Sequence, residues 1–146
     1  MRRLKPGDIL ELKTPRGLAY LQYVGRHVDY GDVIWVLKGF HQARPAEPAE
    51  LVGGRGYYIF YPAQVAARRG FVEAVATGVP LPNGMAVPRD LRWGGADMYW
   101  VISRNGVDTV RQKLTAAEKR LPLLEMWNHE FLVGRVTEEW DPSQDV

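Results

Sequence analysis

The chain has 146 residues, 46% hydrophobic and 25% charged, which suits one domain with a real core. It has no cysteine, which excludes disulfides, thiolate zinc sites and iron–sulfur clusters. Net charge is +2 but uneven: residues 1–104 hold 14 basic and 9 acidic groups, residues 105–146 hold 5 and 8, and no stretch has the dense Lys/Arg clustering of a dedicated nucleic-acid surface.

The opening Met1-Arg2-Arg3-Leu4-Lys5-Pro6-Gly7-Asp8 is basic, with no uninterrupted apolar run behind it. That is not a signal-peptide pattern, and no run approaches the roughly 20 apolar residues of a membrane helix, so a cytoplasmic location is expected. Asp8–Lys13 alternates in part and reads as a strand, followed by the turn Thr14-Pro15-Arg16-Gly17. Leu18–Val24 is a second strand, and a loop from His27 to Gly31 follows. Val33-Ile34-Trp35-Val36-Leu37 is apolar throughout, as a strand covered on both faces would be. Closing such short strands into a small SH3-like barrel would remove bare edges. Residues 41–56, rich in Pro, Glu and Gly, read as a surface loop within one domain spanning 1–146.

Tyr57-Tyr58-Ile59-Phe60-Tyr61 is a fourth strand of strong β formers. Pro62 predicts the start of a short helix ending before Gly70, and Phe71–Ala76 a fifth strand. Pro80, Pro82, Asn83-Gly84 and Pro88 predict irregular chain. Asn105-Gly106, between Met98–Arg104 and Val107–Arg111, predicts a two-residue type I′ hairpin with Val101 opposite Val110 and Ile102 opposite Thr109. Thr115-Ala116-Ala117-Glu118 is a capping box, Pro122 can open a further helix, and Asn128 can cap a last one. In that last helix Leu132, Val133, Val136 and Trp140 recur at helical spacing, which predicts a structural stripe with Trp127 beside it. The fold class is therefore α+β: an N-terminal antiparallel sheet or small barrel, an additional hairpin and a helical C-terminal segment.

Two segments carry a resemblance: Lys5-Pro6-Gly7-Asp8-Ile9-Leu10, and Glu118-Lys119-Arg120-Leu121-Pro122 leading into Trp127-Asn128-His129-Glu130-Phe131-Leu132-Val133 and Trp140. Together they resemble bacterial proteins of the immunity protein 26 family of polymorphic toxin systems. The resemblance covers about half of the chain and implies a β-rich domain with terminal helices that neutralises a toxin by binding it. It carries no catalytic motif onto these positions.

The chemistry of the side chains points the same way. His27, His41 and His129 form no close pair, and His129-Glu130 lacks the second histidine of a zinc-protease motif, so no metal is expected. Ser103 and Ser143, the only serines, have no nucleophile elbow. Asp8 with Glu11, or Asp29 with Asp32, could pair as carboxylates, but such residues at strand ends are expected to be solvated or bonded to backbone amides. Gly53-Gly54-Arg55-Gly56 precedes a strand where a phosphate loop should follow one, so no cofactor is expected. The richest group is aromatic, with five Trp, seven Tyr and four Phe. Tyr and Arg are favoured at binding hot spots, which makes Tyr23, Arg26, Tyr30, Arg55 and Tyr58 the candidate partner-binding residues. The expectation is a non-enzymatic protein that binds a protein partner. A nucleic-acid-associated β-barrel module and an enzyme with a site not visible as a motif are the alternatives.

Overall fold

A computed structural model of the chain describes residues 3–94 and 99–144. Strands β1 (Ile9–Thr14), β2 (Gly17–His27) and β3 (Gly31–Leu37) form an antiparallel meander. Only Pro15 and Arg16 separate β1 from β2, and only residues 28–30 separate β2 from β3. Strands β4 (Gly56–Phe60) and β5 (Val72–Ala76) complete a five-stranded sheet in the order β4-β3-β2-β1-β5. β4 and β5 are its edges and do not pair with each other among the described residues, so the barrel closure expected from the sequence is not seen.

The pleat sends alternate side chains to two cores. On one face Leu10, Leu21, Ile34 and Ile59 meet helix α1 (Ala63–Arg68) and helix α3 (His129–Thr137) through Ala63, Ala66, Leu132 and Val136. On the other face Ile9, Tyr20 and Leu37 pack under Leu51, Val52 and Val79, and Val33 and Phe60 pack with Val87, Leu91 and Leu124. Hence the unbroken apolar run of β3: Val33, Ile34, Val36 and Leu37 are all 6% exposed or less.

A second, three-stranded sheet has the order β6-β7-β8, from β6 (Leu91–Gly94), β7 (Trp100–Arg104) and β8 (Val107–Arg111). Asn105 and Gly106 both have positive φ, +52° and +76°, as a type I′ turn requires. The expected register holds, with Val101 opposite Val110 and Ile102 opposite Thr109. Met98, placed in this hairpin by the sequence, lies outside the described residues. β6 has no counterpart in the sequence reading; its four residues include the fully buried Arg92.

Helix α2 (Ala116–Lys119) opens on the expected capping box, with Thr115 and Glu118 satisfying each other's backbone N–H groups. Pro122 opens no helix. The chain is extended there, because Arg92 N–H donates to Pro122 O and Leu124 N–H to Arg92 O, and these bonds compete with helix formation. Asn128 caps α3 through its Oδ1, which accepts from Phe131 N–H. Leu132, Val136, Trp127 and Trp140 are buried as expected, but Trp140 lies past the helix end. Trp140 N–H donates to Arg135 O and Glu139 N–H to Val136 O, with Glu139 at φ +57°: a Schellman ending that turns the indole back over the helix. Pro62 stands at the cap position of α1 and not at its first turn.

Candidate partner-binding surfaces

Tyr23, Arg26 and Tyr30 gather at the β2–β3 turn. Tyr23 is only 7% exposed, and its hydroxyl donates to Asp32 Oδ1 at 3.0 Å. Burial, with the Asp32 carboxylate beside it, pushes that phenol up to about 12, so it stays a donor. Asp32 also accepts from Gln64 N–H at 3.0 Å, capping α1 where Pro62 offers no side-chain acceptor. Arg26 Nη1 lies 3.5 Å from Asp32 Oδ1, but the Arg26 side chain is 65% exposed. Tyr23 and Asp32 are thus internal supports, and Arg26 is the group available to a partner.

Tyr30 is 40% exposed and rests on His27 and Phe60, ring centroids 4.9 and 5.9 Å away. Val28, in the same turn, is 92% exposed, and Met126, beside Gly31, is 52% exposed. Val28, Tyr30 and Met126, with His27 under Tyr30, gather exposed apolar groups at one end of the sheet, while Arg26, opposite Asp32, reaches toward Asp32 on the face of Tyr23. The sequence pointed to Tyr30 and Arg26. It missed Met126, which reaches the patch only because its segment pairs with Phe60.

Tyr58 is the central residue of β4, and Arg55 stands just before its far end. Gly56 pairs with Leu37 there, whereas Phe60 pairs with Val33 near the β2–β3 turn. Arg55 is exposed. Tyr58 stands edge-on to Trp35 at 4.7 Å, and burial raises its phenol above the ordinary range. The five candidate residues therefore form no single group: Tyr23, Arg26 and Tyr30 lie near the β2–β3 turn, Tyr58 in the middle of β4 and Arg55 beyond its far end.

The buried carboxylates are structural. Glu11 is 5% exposed and accepts from Tyr20 OH at 2.9 Å and from Arg44 Nε and Nη2 at 2.8 and 3.1 Å. That guanidinium fork holds the Glu11 carboxyl below its usual range and ties the 41–55 loop to the sheet. Asp8 accepts from Lys5 N–H at 2.9 Å. The expectation of solvation or backbone amide bonding thus holds for Asp29, which is exposed, and for Asp8 and Asp32, which are buried but accept from amides; Glu11 is buried on side-chain donors and departs from it.

One polar pair escaped the sequence reading. Tyr61 OH lies 3.0 Å from His129 Nδ1, and the imidazole stacks on Phe71 at 4.8 Å. Burial holds His129 below its ordinary range, and the hydroxyl and Nδ1 share one hydrogen bond whose donor is set by the imidazole tautomer. Among the described residues no three His, Asp or Glu side chains are grouped to hold a metal ion, and no helix is long and apolar enough to cross a membrane. No protein family, curated protein or solved structure matches the chain.

Proposed function

We infer that this chain is a stoichiometric binding protein, an immunity protein that silences a bacterial toxin by occluding it. The observation that carries the reading is the group of exposed Val28, Tyr30 and Met126 at one end of the sheet, with the exposed Arg26 at the end of β2. Aromatic residues, Met and Arg are the types enriched at protein interfaces, and here they stand on a sheet packed on both faces. Such a platform binds with little ordering cost. An N-terminal sheet curled into a small SH3-like barrel, a cytoplasmic location and the absence of turnover belong to the same proposal. The segments that carry the family resemblance supply the frame: Gly7 and Asp8 lead into β1, and Trp127, Asn128 and Trp140 anchor α3.

Co-expression with the product of an adjacent toxin gene tests it. Protection with a one-to-one complex is expected, lost in Tyr30→Ala and in Arg26→Glu. Absence of any complex, with tight salt-sensitive binding to DNA or RNA in its place, would replace this reading with the nucleic-acid module.

A further inference from the structure

The free edge of β4 opens into a groove. Lys38 N–H donates to Arg55 O and Tyr61 N–H to Asp32 O. With the β3–β4 register, this turns the backbone groups of Tyr57 and Ile59 toward β3 and those of Gly56, Tyr58 and Phe60 outward. Phe60 O is taken by Trp127 N–H at 2.9 Å. Gly56 and Tyr58 have no backbone partner on the outward side among the described residues. They line a groove of about 470 Å³ with Trp35, Lys119, Arg120 and Pro142.

The chemistry of that groove is one-sided. Arg120 is exposed and has no side-chain partner among the described residues, and the only such contact of Lys119 is the Ser143 carbonyl at 3.5 Å. Asp141, the one carboxylate among the described residues of the wall, is bound by Lys38. Trp35 Nε1 is buried against Gly56, so the indole forms the floor of the groove. Unpaired edges in native sheets are normally blunted. Here residues of α2 and the 142–144 turn line the edge and form the far wall of the groove.

We propose that this groove binds an extended acidic peptide segment of a protein partner, added antiparallel or parallel to β4 through the backbone groups of Gly56 and Tyr58, with its carboxylates on Lys119 and Arg120. A peptide fits this edge better than a phosphate chain does. Gly56 and Tyr58 each present a carbonyl as well as an N–H, and only a main chain of alternating donors and acceptors satisfies both. The site lies at the opposite end of β4 from the Val28–Tyr30–Met126 patch, and stands whether or not that patch is the toxin contact.

A displayed library of random octapeptides, selected on the full chain, tests it. Enriched peptides should carry Asp or Glu. A resynthesised peptide should bind roughly tenfold or more weakly to the double variant Lys119→Glu, Arg120→Glu, whose melting temperature should stay unchanged. N-methylation of alternate peptide residues, those facing β4, should abolish binding, while methylation of the intervening ones should not. Amide signals of Gly56 and Tyr58 should shift on binding, and Tyr30→Ala should leave the affinity untouched. No enrichment, enrichment of peptides without carboxylates, indifference to the charge reversal or to N-methylation, or an oligonucleotide taking the groove would each overturn the proposal.

Discussion

Two glycines show how differently the same residue type is required. Gly106 needs its φ of +76°, but a Cβ there would meet nothing within 4 Å, so Gly106→Ala costs only backbone strain, about 1 kcal/mol. Gly56 is held by space: a Cβ would sit 2.1 Å from Val36 O and 2.5 Å from Trp35 Nε1. Gly56→Ala must push the β3 and β4 backbones apart, and its loss should exceed that of Gly106→Ala in a paired denaturant titration. Protonation gives a second residue-scale test. His129 is held below its ordinary value of 6.5, so below pH about 6.5 the unfolded chain takes up a proton that the folded one refuses. Stability should therefore begin to fall as pH drops through 6.5. Glu11 is held below its ordinary 4.5, so its contribution is complete above that value and is lost as pH falls through the lower folded value. Melting curves from pH 8 to 3 should show both declines, and His129→Gln should erase only the first.

At the scale of elements, α3 is short and cannot stand alone, because isolated helices under about 12–15 residues are marginal. Its stability comes from Leu132, fully buried in the main core, and from Trp127 and Trp140, whose ring centroids lie 5.3 Å apart. Leu132→Ala should cost about 2–5 kcal/mol by chemical denaturation, and deletion from residue 129 onward should lower the melting temperature markedly. An unchanged midpoint would show a free appendage. This element was legible in the sequence, as were the Asn105-Gly106 hairpin and the Thr115 capping box, because each rests on local chemistry: a cap, a turn pair or a hydrophobic period. What was hidden is non-local. β6 has four residues and forms because Arg92 is fixed between β7 and the 121–124 segment. The helix expected after Pro122 loses to those same long-range bonds. The candidate site was half legible for the same reason. Tyr30 and Arg26 flank one turn, but Tyr23 is drawn inward by Asp32, 9 residues on, and Met126 arrives from the far end of the chain.

For the molecule as a whole, the main sheet is covered by helices on one face and by loops and the start of β6 on the other, so binding is left to its ends and edges. The two tyrosines at the β2–β3 turn separate binding from folding. Tyr23 supports the turn from inside: Tyr23→Phe removes the donor to Asp32, a carboxylate that is 6% exposed and also caps α1. Loss of a hydrogen bond to a charged acceptor costs about 1.5–3 kcal/mol, so Tyr23→Phe should unfold earlier while its folded fraction still binds the partner. Among the described residues Tyr30 donates no hydrogen bond, and it is 40% exposed, so Tyr30→Ala gives up only its ring contacts with His27 and Phe60 and should lower the melting temperature only slightly. If it is the hot spot of the patch, binding to the partner should weaken by about 2 kcal/mol or more, mainly through faster dissociation. Arg26→Glu should act on association and its salt dependence, because the guanidinium is mostly solvated. Surface plasmon resonance at two salt concentrations, with melting curves of the same three variants, separates these outcomes. Equal loss of binding in Tyr23→Phe and Tyr30→Ala, in step with equal loss of stability, would move the interface away from this end of the sheet.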